Sequence, residues 1–279
     1  MKNLLLKEQL LQIKELQEAC ESYDQIKLKL NWDMLRNRSN DVKEDFFYYD
    51  EDKLVGFLGK YYFGTKVEIC GMVHPKYRRK GIFTSLLNEG LESSRNATTI
   101  LLNAPAASST AQEFIKAQKY DYSFSEYQMV WKDRDVQSFE PVINLSDATK
   151  EDFELISRID VECFGFDVKD AQTFNARVLN EPNRKCFIIE VDGEKIGKLS
   201  VQREHKESWI YGFAVLPKYQ GFGYGKNTLL QIIERENKTG NEIHLEVALE
   251  NKNAKKLYTD CGFEQYDTQD YYQCSKKNV

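Results

Sequence analysis

Apolar positions near the start of the chain follow a helical period. Leu6, Leu10, Ile13, Leu16 and Cys20 recur at steps of three and four, which predicts an amphipathic helix with one face on a core. A polar stretch over residues 31–41 interrupts the pattern. Next, DFFYYDEDKLVGFLGKYYF is rich in aromatic and β-branched residues and predicts two strands joined by a turn at Asp50 to Lys53. A further strand is predicted over residues 67–73. It leads through HPKYRRKGIFTSLL into a turn and a helix. The same strand, turn and helix recur where a strand over residues 209–215 reaches Pro217. There the chain passes Gly221, Gly223 and Gly225 and opens a helix near Lys226.

This recurrence organises the whole chain. Ile13 and Cys20 match Ile156 and Cys163 at an offset of 143, and Gly56 matches Gly197 at 141. Pro75, Tyr77 and Gly81 match Pro217, Tyr219 and Gly223 at 142, and Ala111 matches Ala254 at 143. Agreement over separated positions predicts two copies of one βαβ-containing domain in tandem, with the one-residue gaps in loops. The charged segment KDRDVQSFEP places the boundary between residues 1–137 and 138–279. The second copy alone opens with an extra strand, over residues 141–145.

Composition narrows the function classes. The chain has 279 residues, 41% hydrophobic and 30% charged, enough for two ordinary domains each with its own core. Its net charge of -5 provides no basic field for nucleic acid or an anionic membrane. Six cysteines without a C-x-x-C pair and three scattered histidines show no zinc spacing, so no metal is expected. The leucines of MKNLLLKEQLLQIKE are too interrupted by charge for a signal peptide or a membrane span, and a cytoplasmic location is the expectation.

The glycine-rich turn points to an anion. Glycine lacks a Cβ, so successive backbone N–H groups can converge on one cavity, and the first turn of the helix adds unpaired donors and a positive dipole end. By itself such a turn is more often a plain connection. Its surroundings carry a resemblance. Val215 to Gly225, with Gln220, Gly223 and Gly225 as Gln-x-x-Gly-x-Gly, resembles the acetyl-CoA pyrophosphate loop of the GNAT N-acetyltransferases. The downstream LEVALENKNAKKLYTDCGF is similar to the next element of that family: a strand bearing Glu, then Asn-x-x-Ala-x-x-Leu-Tyr, then Gly-Phe.

The resemblance implies two tandem GNAT-like α/β domains, each a mixed, mostly antiparallel twisted sheet flanked by helices, with splayed central strands. It implies acetyl-CoA as cofactor, held by Phe213, Ala214, Val215, Gln220, Gly221, Phe222, Gly223, Tyr224, Gly225, Lys226, Asn251, Ala254 and Tyr258. It further implies N-acetyl transfer to a small-molecule or peptide amine in the second copy, by a monomer or homodimer. A non-catalytic acyl-CoA sensor or scaffold is the alternative. The first copy departs position by position. It keeps Arg78 and Gly81, but Phe83 stands for Gly225, Asn103 for Glu246, Ser108 for Asn251, Ile115 for Tyr258 and Lys119-Tyr120 for Gly262-Phe263. It is expected to be a degenerate repeat whose cleft Phe83 narrows.

Amide formation from a thioester needs a deprotonated amine, a polarised carbonyl and a proton for the leaving thiolate. Amines are largely charged at neutral pH, with pKa values of about 8 to 10.4, so a base is required. Glu246 alternates with apolar Leu245 and Val247 on a strand, and is either that base or a surface strand glutamate. Tyr258 is either the acid that protonates the thiolate or a core tyrosine. Tyr211 and Glu207 are rival bases, and Asn251 is expected to cap its helix. His205 and His244 read as loop or strand-surface residues. Cys261 reads as a buried small residue, which leaves direct transfer without an acyl-enzyme. Within the family the acceptor pocket is built by segments matching residues 164–177 and 266–274, where Phe164, Phe166, Tyr271 and Tyr272 hint at apolar walls.

Overall fold

The computed structural model describes residues 5–38, 42–94, 97–133 and 135–274. Part of the polar stretch (39–41) and Arg134 in the charged linker lie outside the described residues. The chain forms two compact units, residues 1–125 with 267–279 and residues 126–266.

In chain order the first half comprises α1 (Lys7–Asp24), α2 (Trp32–Arg36), β1 (Asp45–Asp50), β2 (Lys53–Phe63), β3 (Lys66–Val73), α3 (Ile82–Glu92), β4 (Thr99–Pro105), α4 (Ser109–Gln118) and β5 (Asp121–Trp131). The second half comprises β6 (Asn144–Asp147), α5 (Phe153–Phe164), α6 (Val168–Val178), β7 (Arg184–Val191), β8 (Glu194–Glu204), β9 (Glu207–Val215), α7 (Tyr224–Asn237), β10 (Glu242–Ala248), α8 (Lys252–Asp260) and β11 (Phe263–Gln273). The α1 stripe buries Ile13, Leu16 and Cys20 as its period predicts, while Leu6 falls outside the helix at its N-cap and is exposed. The extra strand opening the second half is β6, a few residues later than the apolar pattern placed it.

In the first unit, β1, β2, β3 and β4 lie in that order. All pairs are antiparallel except β3 with β4, which is parallel over residues 66–69 and 99–102 and then separates. One face packs on α1 through Ile13, Phe57, Cys70 and Met72. The other face packs through Leu58, Ile69, Leu86 and Leu102. The second unit repeats this with β6, β7, β8, β9 and β10, and again one pair, β9 with β10, is parallel over residues 207–210 and 242–245 before it separates. The mostly antiparallel sheet with splayed central strands is therefore present twice.

The repeat boundary in the sequence, proposed at 137/138, is not where the compact units divide. Residues 126–130 of β5 pair antiparallel with β10 and belong to the second unit, and residues 269–273 of β11 pair antiparallel with β4 and belong to the first. Each half of the chain thus supplies the last strand segment of the other unit's sheet. A second departure concerns the gaps between copies. The offset is 141 from Gly56 and Gly197 to Lys66 and Glu207 and 142 at Val73 and Val215, so this extra residue falls inside a strand and not in a loop. It is a β-bulge: Lys198 pairs with Ala214 and Ser200 with Tyr211, leaving Gly212 and Phe213 opposite Leu199. The matching stretch of β2 and β3 is in unbroken register.

Removing 126–131 exposes the edge of β10 and takes away Met129, which is buried in the second unit's core. That side chain alone is worth about 1.5–3 kcal/mol against a total stability of about 5–15 kcal/mol. A fragment of residues 126–266 is therefore expected to unfold cooperatively on heating, and one of residues 138–279 is not. Circular dichroism melts of the two fragments compare them, and equal midpoints would show the borrowed strand to be dispensable.

Candidate active site

β9 ends in a 3-10 turn at Pro217–Tyr219, and the chain then passes Gly221 and Gly223, with φ of 85° and 83°. These left-handed values suit glycine, because a Cβ there would crowd the next carbonyl at roughly 1–2 kcal/mol per residue. A Cβ at either position would meet nothing within 4 Å, so both backbones face open space. Gly223 caps α7, which starts at Tyr224, two residues before the sequence placed it. Tyr224, Gly225 and Lys226 therefore stand at the helix's first turn, where N–H groups lack intrahelical partners. Phe222 and Lys226 are exposed beside them. Gln220 turns its amide inward: Nε2 donates to the Val215 carbonyl at 2.8 Å and ties the loop to the strand end. These residues fit an anion cradle made of backbone.

The strand separation sits directly above. The last parallel pair is Ile210 with Leu245, both in the core. Glu246 and Tyr211 come next on their strands and, by alternation, face away from that core. Glu246 is half-buried, and its Oε1 accepts a hydrogen bond from Gln128 Nε2 at 3.0 Å, its register partner on β5. Tyr211 stacks on Trp209 and lies under the Arg184 guanidinium, 4.9 Å from the ring centroid. Glu207 is set apart at the start of β9, where the strands are still paired, and it accepts from Trp209 Nε1 at 2.7 Å. The bulge at Gly212 and Phe213 interrupts the β8 ladder beside this point, and Ala214 and Val215 are buried at the strand end. Lys198, buried and ion-paired with Asp160 at 2.6 Å, brings its Nζ to 3.6 Å from the place a Gly212 Cβ would take. Neither Gln128 nor the Lys198–Asp160 pair was anticipated, since each depends on a partner distant in sequence.

Asn251 caps α8, with Oδ1 accepting from the Ala254 N–H at 3.1 Å. Tyr258 is buried on the same helix, its ring tilted against Phe263, and burial pushes its phenol up to about 12. The proton therefore stays on through the neutral range. Burial likewise raises the Cys261 thiol to about 11, the opposite of an activated nucleophile. His205 lies in the β8–β9 turn with φ of 52°. His244 differs from its surface reading: it is buried between Trp209, stacked at 4.8 Å, and Tyr266, edge-on at 5.8 Å, and burial lowers its pKa.

The first unit keeps more of this geometry than its motifs suggest. Arg79 and Gly81 take φ of 64° and 78°, reproducing the two left-handed positions of the second loop, and Arg78 Nε donates to the Val73 carbonyl as Gln220 does to Val215. Phe83 does not narrow the cleft. At the matched positions the second unit has Phe213 on the strand and Gly225 on the helix, and the first unit has Gly71 and Phe83, so one ring fills the same place from the opposite wall. Phe83 reaches over Gly71 and packs edge-on against Phe114 at 5.0 Å, while a Cβ on Gly225 would meet Leu257 and Phe213 at 3.5 and 3.9 Å. A cavity of about 650 Å³ lies here, lined by Gly71, Gly81, Phe83 and Asn103 among others. The acceptor-pocket expectation also changes. Tyr271 and Tyr272 pair with Asn103 and Leu102 in the first unit, because β11 crosses to it, and so do not wall the second unit's site.

The sequence profile of the Acetyltransferase (GNAT) family matches residues 9–119 and 149–263. No curated protein matches at the level of sequence. Among solved structures, a GCN5-related N-acetyltransferase from Sphaerobacter thermophilus superposes with a TM-score of 0.77 at 17% identity, covering 98% of this chain and 95% of that one. A tandem GNAT protein from the clavulanic acid biosynthesis pathway gives 0.72 at 17% identity over 98% and 96%. An acetyltransferase from Pyrococcus horikoshii gives 0.68 at 14% identity over 99% and 89%. At these identities the likeness is one of fold.

The exchange of ring and glycine makes a prediction. Phe213→Gly leaves a void costing about 3–5 kcal/mol, and Gly225→Phe overfills the wall by about 1–3 kcal/mol. The double variant, which copies the first unit, is expected to be more stable than their sum by about 1 kcal/mol or more. Denaturant titration of the four proteins measures this coupling, and simple additivity would refute the exchange.

Proposed function

The chain belongs to the acetyltransferase (GNAT) family, a family that uses acyl-CoA, and from that premise we propose that its second unit transfers an acetyl group from acetyl-CoA to a primary amine by direct attack. The carrying observation is the convergence at one strand separation of an open backbone cradle, a bulge, and the carboxylate of Glu246 held by Gln128. The first unit has the separation and the loop but an unbroken ladder and a carboxamide in place of the carboxylate.

In this reading the N–H groups of Gly221 to Lys226 hold the pyrophosphate, helped by the dipole of the 14-residue α7. Phe213 in the bulge, and Ala214 and Val215 beyond the point where β9 leaves β10, present N–H groups to the thioester carbonyl and stabilise the charge that develops on its oxygen. Glu246 takes a proton from the acceptor ammonium, directly or through one water, and Gln128 keeps the carboxylate turned to the separation. The amine nitrogen then bonds to the carbonyl carbon, the carbon–sulfur bond breaks, the Tyr258 hydroxyl gives its proton to the departing thiolate, and the surplus proton on the new amide nitrogen passes to the tyrosinate left behind. Asn251 and Ala254 set the helix that carries Tyr258. Cytoplasmic location and a free amine on a small molecule or peptide belong to the same proposal. Among the described residues no helix is long and apolar enough to cross a membrane.

Release of free coenzyme A thiol over a panel of amines and peptides tests the assignment. Glu246→Gln is expected to lower kcat/KM by about 10²-fold or more while acetyl-CoA still binds. Tyr258→Phe is expected to lower kcat. Because the phenol titrates near 12, the wild-type kcat profile is expected to show no alkaline fall from this residue below pH 10. Turnover unchanged in both variants would overturn the mechanism.

A further inference from the structure

The two units differ at the outer edge of their sheets. In the second, β6 lies antiparallel on β7 and pairs residues 144–147 with 187–190. Counted at the offset of 141, those positions of β7 are Phe46 to Tyr49 of β1, and among the described residues β1 has β2 as its one strand neighbour. The Lys60 N–H donates to the Glu44 carbonyl. By antiparallel alternation Phe46 and Tyr48 then turn their backbone groups to β2, and Asp45, Phe47 and Tyr49 turn theirs outward. The same alternation holds in β7, where the Cys186 carbonyl, at the position of Asp45, accepts from the Ala148 N–H just after β6. β1 has a bulge between Tyr48 and Tyr49, but β7 has one at the matched Ile189 and Glu190 and still carries β6, so the bulge does not close the edge. An open row of backbone donors and acceptors is a template for an added strand.

Side chains and charge specify that strand. Tyr48 and Tyr49 stand on opposite faces and are 42% and 39% exposed, and Phe47 stacks on Tyr49 at 6.2 Å, so apolar surface flanks the edge on both sides. In the second unit the matched Ile189 is buried, and Leu145 of β6 packs on the same core. Beyond the end of β1, the turn to β2 and α1 enclose a cavity of about 640 Å³ lined by Glu15, Asp50, Glu51 and Asp52, with Lys53 and His74. Asp50 accepts from the Tyr77 hydroxyl at 2.7 Å, and none of the four carboxylates is in an ion pair among the described residues. The acidity is particular to this unit, since Arg158, Val191 and Gly193 stand at the positions of Glu15, Asp50 and Asp52 in the second. At the other end of β1 the acids are already matched: Arg38 lies 2.6 Å from Asp45 and 3.6 Å from Glu44. An antiparallel strand laid on β1 brings its own N-terminal end to Asp50, where a cation meets uncompensated negative charge. A second copy of this chain fits poorly, because self-pairing about Phe47 sets Asp50 of each copy opposite Glu44 of the other, and like charges directly opposite are destabilising.

We propose that β1 accepts an extended segment of a partner protein as an added antiparallel strand, with apolar side chains over Tyr48 and Tyr49 and lysine or arginine at its N-terminal end, seated in the acidic cavity. The backbone ladder supplies affinity, and the cavity sets direction and the choice of partner. The assignment is independent of whether the second unit is catalytic.

Anisotropy titration of the whole chain with the peptide Lys-Arg-Val-Ile-Val-Leu-Thr-Ser, labelled at its C-terminus, tests it. One saturable site is expected. A probe with proline in place of its second valine, the residue set against Phe47, is expected to bind about tenfold or more weakly, because it lacks the N–H that donates to the Phe47 carbonyl while its charge is unchanged. A probe opening with Glu-Glu in place of Lys-Arg is expected to lose binding to the same extent. In the protein, Tyr49→Pro removes an outward N–H at an exposed edge position, and Glu15→Lys with Asp52→Lys reverses charge in the cavity. Each is expected to weaken the first probe about tenfold or more. Hydrogen exchange is expected to slow at residues 45–49 when that probe is bound. Should Tyr49→Pro melt earlier than the wild type, the proline probe decides in its place. Equal binding of the valine and proline probes would reduce the contact to charge attraction and overturn the proposal. Absence of saturable binding, exchange slowed only outside β1, or binding unchanged in both protein variants would overturn it as well. So would self-association of the unliganded chain that Tyr49→Pro abolishes, since a second copy would then hold the edge.

Discussion

Both units depend on one kind of contact, the antiparallel ladder that each half of the chain contributes to the other unit's innermost strand. β10 carries Glu246 on a strand whose outer neighbour is residues 126–130, and β4 carries Asn103 on a strand whose outer neighbour is residues 269–273. A strand that separates from one neighbour to admit a ligand loses half its backbone partners beyond the separation. It keeps a defined position only if the other edge is fully paired. The borrowed segments supply that edge. One of them also supplies Gln128, whose amide donates to the Glu246 carboxylate.

Within that shared frame the two units diverge by small, physically readable changes. One residue added to β9 breaks a ladder that stays unbroken between β2 and β3. The bulge sits over a buried Lys198–Asp160 pair. Removing either partner would strand the other charge, so the pair is a fixed support more than a source of net stability. The ring that fills the wall of the cleft comes from the strand in one unit and from the helix in the other, which conserves volume while the sequence at both positions changes. A carboxylate in one unit is a carboxamide in the other, at the same register. The first unit thereby has no carboxylate at that register and encloses a cavity.

Much of this was legible in the chain because periodicity and glycine placement are local. The α1 stripe, the turn between β1 and β2, the left-handed loop at Gly221 and Gly223, and the Asn251 cap each follow from neighbours within a few residues. Comparing the copies also located Glu246 and Asn103 at one equivalent position. The readings that changed all involve partners distant in sequence. Phe83 against Gly71, Tyr271 against Asn103, and the burial of His244 between Trp209 and Tyr266 could not be read from spacing. The bulge was visible as an offset moving from 141 to 142, yet arithmetic alone could not say whether the extra residue stood in a strand or a loop.

The sequence by itself therefore determined the tandem repeat, the elements of each copy, the left-handed glycine loop and which copy carries Glu246 and Tyr258, since these depend on residue type and short-range order. Tertiary structure decided the rest. It decided where the compact units divide, because strand pairing can join segments more than a hundred residues apart without a local signal. It also decided that the copy with the degraded motifs encloses a cavity, because a cavity depends on how opposing walls fill space, and a ring lost from one wall was replaced from the other.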